Sequence, residues 1–365
     1  MSNAGITSTV LRGLGTTKIA GREQALMTSD KEMLYVVGRN VVWHNIIRDK
    51  VRVLPQTPRV QRILAIAVCP KRRYVAVCEQ QDASYGSSAL PQVSIIDLIS
   101  GNGPKRLRTL IATEDTHLSF NAAAVNIDGS AAPLPTFACA DFSKDSKSLL
   151  CLVGAPYNGL VVFDWFRSRK VGTATVNASI TRCRFNPTDS SQISTSGPQH
   201  LRVWKVQEGM LKGYPTIQGI AATGASITDH GWTKDDRIAV TTDKGEVLIY
   251  DEGDLVQTMS SKTLGLNDHD GLSCITSLDD RGFLCGGPHA SICVVEITDT
   301  KDRLEGRDPF KVACKVRGKY SSERERASRN GSTVVDISMT PSSFKLVLLS
   351  SPHSPLSKTP KHVFF

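Results

Sequence analysis

The chain has 365 residues, of which 40% are hydrophobic and 22% are charged. This composition is typical of a folded globular protein and excludes disorder along the whole length. The formal net charge of +9 favours acidic partners. The longest aliphatic run, residues 63–69, is too short to cross a bilayer, so no membrane partner is expected.

The N-terminus and the cysteines point to a cytosolic protein. Residues 1–9 are polar, and no apolar stretch typical of a secretion signal follows them. The nine cysteines form no CxxC pair and mostly fall within apolar, strand-like segments. This pattern predicts buried free thiols in a reducing compartment.

In chain order, the predicted elements repeat one unit. Each unit has a short apolar strand, a turn, a second apolar strand, a tight turn, and a third strand that ends in an aromatic or acidic residue. Copies begin near residues 63, 137, 180, 227, 272 and 334, and no long amphipathic helix is predicted. The third strands are NVVWHN (40–45), VSIIDL (93–98), LVVFDW (160–165), LRVWKV (201–206), EVLIYD (246–251) and ICVVEI (292–297).

The repeat predicts an all-β fold, a seven-bladed WD40-like β-propeller. The turns after Phe142, Phe185 and Trp232 are about 45 residues apart, which is the blade period of such proteins. We expect residues 1–350 to form the propeller, with the last blade incomplete. Residues 351–365 would begin a further strand leading to a missing C-terminal region, and a strand from residues 9–20 would complete the last blade.

Catalytic motifs are absent from the sequence. No phosphate-binding loop with the required spacing, nucleophile elbow, zinc-protease motif or kinase motif set is present. The one cluster of ligand-type residues, DHD at residues 268–270, is typical of a solvated turn. We therefore expect no enzymatic activity, no cofactor and no metal site.

Aromatic residues recur at the strand ends of the repeat. A stacking platform for RNA is one interpretation, but their regular position in each unit favours packing in the core. No nucleic-acid partner is expected. These residues are Trp43, Trp165, Trp204, Trp232 and Tyr250.

Basic residues concentrate in the turns of blades two and three. In a four-stranded antiparallel blade the first and third turns lie at the same edge, so these residues would share one sector, here called the basic rim. One interpretation is a solvated surface, and the other is a docking site for an acidic surface such as tubulin. The basic rim comprises Lys71, Arg72, Arg73, Lys105, Arg106, Lys144, Lys147, Arg167, Arg169 and Lys170.

The same turns of blade five are acidic, so the predicted positive charge is local. They carry Asp235, Asp236, Glu252 and Asp254.

The succession of blades resembles the WD-repeat cilia- and flagella-associated proteins of the axoneme, of the fifty-seven type. The resemblance runs from about residue 69 to residue 254. It is carried by CPKRRYVAV (69–77), FSKDSKSLLCLVGAPYNGLVVFDWFRSRKV (142–171), FNPTDSSQISTSGPQHLRVWKVQEGMLK (185–212) and HGWTKDDRIAVTTDKGEVLIYDEGD (230–254), and RGFLCGGPHASICVVE (281–296) extends it.

This resemblance implies a non-catalytic adaptor of the cilium or flagellum, with the present chain as its first propeller. Its implied partners are inner-arm dynein, regulatory complexes and, for the basic rim, tubulin. The alternative is a WD-repeat adaptor of a non-ciliary cytosolic complex in ubiquitin ligation, trafficking or RNA processing.

Overall fold

A computed structural model describes the main part of the chain. The described residues are 25–58, 60–82, 90–113, 118, 134–207, 209–217, 224–267, 270–278, 281–288, 291–298, 308–317, 332–339, 346–352 and 361–364. They form β-strands joined by turns and contain no helix. Within these ranges, accordingly, no helix is available to cross a membrane.

The strands form seven antiparallel sheets, each following the order of the chain. Sheet one contains β1 (Ala25–Ser29), β2 (Glu32–Val37), β3 (Asn40–Asn45) and β4 (Lys50–Val53). Sheet two contains β5 (Val60–Val68), β6 (Tyr74–Gln81), β7 (Gln92–Asp97) and β8 (Lys105–Ile111). Sheet three contains β9 (Phe137–Phe142), β10 (Ser148–Val153), β11 (Gly159–Asp164) and β12 (Arg169–Thr175).

The remaining sheets repeat this arrangement. Sheet four contains β13 (Arg182–Phe185), β14 (Gln192–Gly197), β15 (His200–Gln207) and β16 (Met210–Gly213). Sheet five contains β17 (Ile227–Trp232), β18 (Ile238–Thr242), β19 (Val247–Asp251) and β20 (Asp254–Met259). Sheet six contains β21 (Cys274–Ser277), β22 (Gly282–Gly286), β23 (Ser291–Ile297) and β24 (Phe310–Arg317), and sheet seven contains β25 (Ser332–Met339), β26 (Leu346–Pro352) and β27 (Lys361–Phe364).

These strands confirm the predicted repeat. Each predicted third strand agrees with the observed strand to within one residue at either end. Sheet seven has three strands in the described part of the chain, as expected for an incomplete last blade. The segment 9–20, expected to supply its fourth strand, lies outside the described residues. The sequence pattern did not identify β1 and β2.

Backbone contacts divide the chain into two compact units, residues 31–217 and residues 1–30 with 218–365. Within the first unit, one core cluster joins the facing sides of sheets two and three, and a second joins sheets three and four. Within the other unit, a cluster joins sheets five and six, and a smaller one joins sheet six to Ile337 of sheet seven. Within each unit, the apolar side chains of these sheets are therefore buried against the neighbouring sheet, which leaves the turns exposed.

Two aspartates on first strands, half-buried Asp141 and buried Asp229, connect neighbouring sheets. The carboxylate of Asp141 in sheet three accepts a 2.8 Å hydrogen bond from the backbone N–H of Phe185 in sheet four. The carboxylate of Asp229 in sheet five accepts one of 3.1 Å from the N–H of Ile275 in sheet six. Each carboxylate thus satisfies a backbone donor on the first strand of the next sheet, where no ladder partner is available.

One glycine is required by its turn. Gly245 closes the β18–β19 hairpin with a φ of 77°, and its N–H donates to the carbonyl of Thr242. A Cβ atom here would lie 2.2 Å from the carbonyl oxygen of Asp270. The segment TTDKG (241–245) thus forms a sharp turn that only glycine fits at its last position.

Candidate docking surface

The first hairpins of sheets two and three use the same turn. In sheet two the N–H of Arg72 donates to the carbonyl of Cys69 at 2.8 Å, and in sheet three the N–H of Ser146 donates to that of Ser143 at 2.8 Å. Arg72 and Ser146 both adopt a left-handed backbone, with φ values of 57° and 62°. This is the geometry of a type I turn followed by a left-handed residue. It projects the side chains on either side away from the sheet.

The structure places the residues of the basic rim at the first and third hairpins of sheets two and three or at the strand starts that follow them. Lys105 and Arg169 are the first residues of β8 and β12, and pair in register with Asp97 and Asp164. Arg72, Arg106 and Lys170 are half-buried. The exposed members of the set are Lys71, Arg73, Lys105, Lys144, Lys147, Arg167 and Arg169.

An aromatic cluster fixes these hairpins relative to one another. Trp165 is fully buried at the start of the β11–β12 turn, and its indole N–H donates a 2.9 Å hydrogen bond to the carbonyl of Ser146 in the β9–β10 turn. The ring of Tyr74, from sheet two, packs edge-on against Trp165 with a centroid separation of 4.7 Å. The turns of the two sheets are therefore packed against one another through these rings.

Arg73 is bound within the surface. Its guanidinium makes a two-pronged contact with the carboxylate of Asp97, with Nη2 at 2.8 Å and Nε at 3.2 Å from Oδ2. The hydrogen bond from Arg73 lowers the pKa of the Asp97 carboxyl below its usual value, although burial opposes the shift. The guanidinium also lies 5.1 Å from the ring centroid of Tyr74. The carboxylate of Asp97 thus neutralises part of the charge of Arg73.

Two further basic side chains connect the outer strands. Arg108 on β8 donates a 3.1 Å hydrogen bond to the hydroxyl of Ser168 in the β11–β12 turn. Lys170 on β12 donates one of 3.2 Å to the carbonyl of Thr113, just beyond β8. The third hairpin of sheet three is therefore held against the outer strand of sheet two.

The remaining carboxylates of these turns form exposed ion pairs. Asp164 receives a 3.2 Å contact from Arg167, and Asp145 lies 3.7 Å from the ammonium of Lys147. Both basic partners are more than three-quarters exposed, so solvent screens these pairs. Lys71, Lys105, Lys144 and Arg169 are the members of the rim that carry exposed charge outside these pairs.

Sequence reasoning missed two parts of this surface. Phe166 is 51% exposed in the β11–β12 turn, and its ring lies over Trp165 with centroids 4.1 Å apart. Arg108 was likewise not predicted to belong to this surface, because it lies inside a strand and not in a turn. The sequence does contain a signal for the exposure of one ring. Trp165 and Phe166 are adjacent in FDWFR (163–167), and because successive side chains of a strand point to opposite faces, only one of the two can face the core.

Sheet five has a similar turn, one residue shorter and of opposite charge. The N–H of Asp236 donates to the carbonyl of Thr233, and Asp236 has a φ of 63°. Arg237, equivalent to Arg73, contacts the carboxylates of Asp235 and Asp251. Glu252, with a φ of 48°, and Asp254 occupy the exposed third turn. The basic character of sheets two and three is therefore local.

Other chemistry-bearing groups are buried or scattered. His200 is buried against the hydroxyl of Thr195 at 3.1 Å, and burial lowers its pKa. In the described part of the chain, no three His, Cys, Asp or Glu side chains are grouped to hold a metal ion. Residues 268 and 269 of the DHD segment lie outside that part. The aromatic residues expected in the core are buried, except Trp43, which is half-buried.

Comparisons with solved structures establish the fold. The chain superposes on the structure of U3-55K with a TM-score of 0.65 and 13% identity, covering 98% of both chains. It superposes on the WD40 β-propeller domain of Doa1 with a TM-score of 0.61 and 11% identity, covering 98% of this chain and 96% of that one. At these identities the likeness concerns the fold alone. The chain adopts a WD40-type β-propeller fold.

Comparisons with curated sequences identify relatives in two organisms. Mouse cilia- and flagella-associated protein 57 is 25% identical over 225 residues, which is 61% of this chain. Mouse cilia- and flagella-associated protein 44 is 23% identical over 78% of the chain, and that of Trypanosoma brucei brucei is 21% identical over 66%. The matched parts span only 16%, 14% and 12% of these relatives' own lengths. The chain matches no protein-family model.

The chain is a WD-repeat protein homologous to the cilia- and flagella-associated proteins 57 and 44, at modest sequence identity.

Proposed function

We propose that this chain is a non-catalytic scaffold of the ciliary axoneme that positions inner-arm dynein and regulatory complexes on doublet microtubules. Homologues in mouse and trypanosome support a location in the cilium or flagellum. The observation that carries the scaffold role is the basic rim, fixed around Trp165 by packing between two sheets. A rigid, charged set of turns is suited to holding a protein neighbour in a defined place.

Binding, rather than catalysis, fits the arrangement of the described residues. WD40 propellers of this kind and their cilia-associated homologues are typically non-catalytic. The polar groups on the rim bind one another or solvent. The Ser143 hydroxyl, 2.6 Å from the Asp145 carboxylate, is part of the turn itself, since it also accepts a hydrogen bond from the N–H of Ser148. What the rim offers a partner is exposed charge and surface area.

The charge of the rim indicates an acidic partner. Lys71, Lys144 and Arg169 are exposed at one edge of sheets two and three, whereas the same turns of sheet five present carboxylates. At physiological salt the screening length is about 8 Å, so only an acidic group close to the rim would be attracted strongly. Dynein subunits, regulatory complexes and the acidic surface of tubulin are the partners we propose.

A matched pair of variants tests this proposal in ciliated cells. The rim variant carries Lys71→Glu, Lys144→Glu and Arg169→Glu, which avoids the structural pair of Arg73 with Asp97. The control variant carries Lys50→Glu, Lys212→Glu and Lys262→Glu, three exposed lysines outside the rim with the same change in net charge. We expect the wild type and the control to enter the axoneme and to crosslink to dynein-containing complexes, and the rim variant to lose these crosslinks.

Two outcomes would contradict the proposal. Absence of the wild type from cilia would favour an adaptor in a non-ciliary complex. Equal crosslinking by the rim and control variants would remove the rim from the binding surface. Co-sedimentation with purified microtubules separately tests tubulin: the wild type and control should sediment at low salt, and the rim variant should remain in the supernatant.

A further inference from the structure

An exposed aromatic ring lies within the basic rim. Phe166 is 51% exposed in the β11–β12 turn. Its ring contacts Trp165 with a centroid separation of 4.1 Å and lies 6.1 Å from Tyr74. Trp165 is itself held by its hydrogen bond to Ser146. Phe166 is thus presented on a fixed aromatic base.

Basic residues lie in the same turn as this ring and in the adjoining turn of sheet two. Arg73 lies over the ring of Tyr74, which itself contacts Phe166 edge-on. Arg167 and Arg169, one and three residues after Phe166, are exposed, and Arg108 binds the same turn through its hydrogen bond to Ser168. The exposed apolar ring therefore belongs to a turn rich in basic residues.

We infer that Phe166 is the anchor of the basic rim and that the rim binds an acidic peptide segment carrying an aromatic residue. This inference rests on the proposed function and specifies the chemistry of its partner. Binding energy at protein interfaces concentrates in a few aromatic and arginine residues surrounded by contacts that exclude water. Phe166, with its ordered aromatic base, loses little conformational entropy when a second ring packs on it. The basic residues of these turns would attract carboxylates that flank the aromatic ring of the partner.

Two other occupants fit the surface less well. In a symmetric contact a second copy of this chain would bring the same positive charge, and the acidic turns of sheet five present no exposed aromatic ring among the described residues. A nucleic-acid strand would match the cations and the rings, but its phosphates would pass the carboxylates of Asp97, Asp145 and Asp164, which lie in the same turns. Intermixed carboxylates favour a partner in which acidic and apolar groups alternate.

Fluorescence anisotropy with the full 365-residue chain tests the inference. The probes are two labelled oligoglutamate peptides of equal length, one with a central phenylalanine and one with a central alanine. We expect the wild type to bind the phenylalanine peptide about tenfold more tightly, as for an interfacial hot spot. Phe166→Ala should remove this preference and leave the alanine peptide within about twofold of wild type. Leu255→Ala is the control, since Leu255 is also 51% exposed but lies on β20.

Folding and alternative outcomes are separated by further arms. Phe166→Leu keeps apolar area without the ring, and should retain the fold and lose most of the preference even if Phe166→Ala is unstable. Equal binding of both peptides by the wild type, or an unchanged preference in Phe166→Leu, overturns the anchor. Tighter binding of an oligouridylate probe than of either peptide also overturns it, in favour of RNA.

The rim variant distinguishes this inference from the proposed function. If the rim variant loses both peptides while Phe166→Ala and Phe166→Leu keep the preference, the charged surface stands and the aromatic anchor fails. If the rim variant binds both peptides as the wild type does, the charge of the rim has no part in binding, and both proposals fail.

Discussion

The indole nitrogen of Trp165 lies 2.9 Å from the backbone carbonyl oxygen of Ser146. Trp165 begins the last turn of sheet three, and Ser146 is the left-handed residue of its first turn. The hydrogen bond therefore joins the two turns that the antiparallel order places at one edge of the sheet. Tyr74 extends the connection to sheet two. The position of the basic rim thus depends on one buried side chain.

Replacing Trp165 with phenylalanine should destabilise the fold. The change leaves the Ser146 carbonyl without its donor and opens a small cavity, at a combined cost of about 2–4 kcal/mol. Trp43→Phe is the matched control, because within the described residues the indole nitrogen of Trp43 has no hydrogen-bond partner. Urea unfolding should show a larger loss for Trp165→Phe, by at least about 1 kcal/mol. Equal losses would show that the hydrogen bond to Ser146 contributes nothing.

The aspartates between sheets make a second prediction. Asp141→Ala removes the acceptor of the Phe185 N–H, and Asp229→Ala removes that of the Ile275 N–H. Each change strands a buried backbone donor, so we expect a loss of about 1–3 kcal/mol in the free energy of unfolding. Asn at either position should cost less, since its amide oxygen still accepts. Asp254→Ala, a substitution at an exposed turn, should stay within about 0.5 kcal/mol of wild type. If it lost as much stability as Asp141→Ala or Asp229→Ala, the loss in those variants would not arise from the hydrogen bonds between sheets.

The pair of Arg73 and Asp97 predicts a pH dependence. The pKa of Asp97 is lowered in the folded protein by the hydrogen bond from Arg73. A depressed carboxyl pKa stabilises the fold above the unfolded value, about 3.9, and this contribution disappears as the pH falls through the folded value. Arg73→Gln should therefore lower the urea midpoint at neutral pH, and its difference from wild type should shrink at about pH 3.

The control for the pH experiment is Arg167→Gln. Arg167 pairs with Asp164, but its side chain is 77% exposed, and such pairs contribute little to stability. Its midpoint should follow the wild type at both pH values. If Arg73→Gln differs from wild type by the same amount at neutral and acidic pH, the contribution of Arg73 does not arise from ionised Asp97.

The sequence predicts the sheets better than it predicts the surface. The third strands are recognisable because apolar side chains such as Ile95, Val161 and Ile249 pack between sheets and must recur at every repeat. The turn at Gly245 is predictable because only glycine adopts its backbone without strain. Sheet one lacks this clarity, since β4, KVRV (50–53), alternates basic and apolar residues and yet is exposed along its whole length.

The surface depends on contacts between distant turns, which a local pattern does not contain. Basic residues near positions 72 and 168 are visible in the sequence, and the antiparallel order places them at one edge. That Arg73 is held by Asp97 follows from the pairing of β6 with β7, and that Phe166 is exposed while Trp165 is buried follows from the packing of sheet two on sheet three. The acidic turns of sheet five show that the backbone geometry is independent of the charge it carries.

The buried cysteines supply a final prediction, on thiol reactivity. Among the side chains that the structure describes, all eight cysteines are buried thiols; the ninth cysteine, Cys314, is not among them. The sulfurs of Cys139 and Cys183 are 3.6 Å apart between sheets three and four, and burial raises the pKa of the neighbouring Cys151 thiol well above its usual value. A raised pKa keeps a thiol protonated, and a protonated, inaccessible thiol is a poor nucleophile.

Ellman's reagent should therefore react quickly with at most one thiol in the native protein and with all nine after guanidinium denaturation. Ser168→Cys, at an exposed turn, should add one fast-reacting thiol, whereas several fast thiols in the unmodified native chain would show that the sheets separate readily in solution.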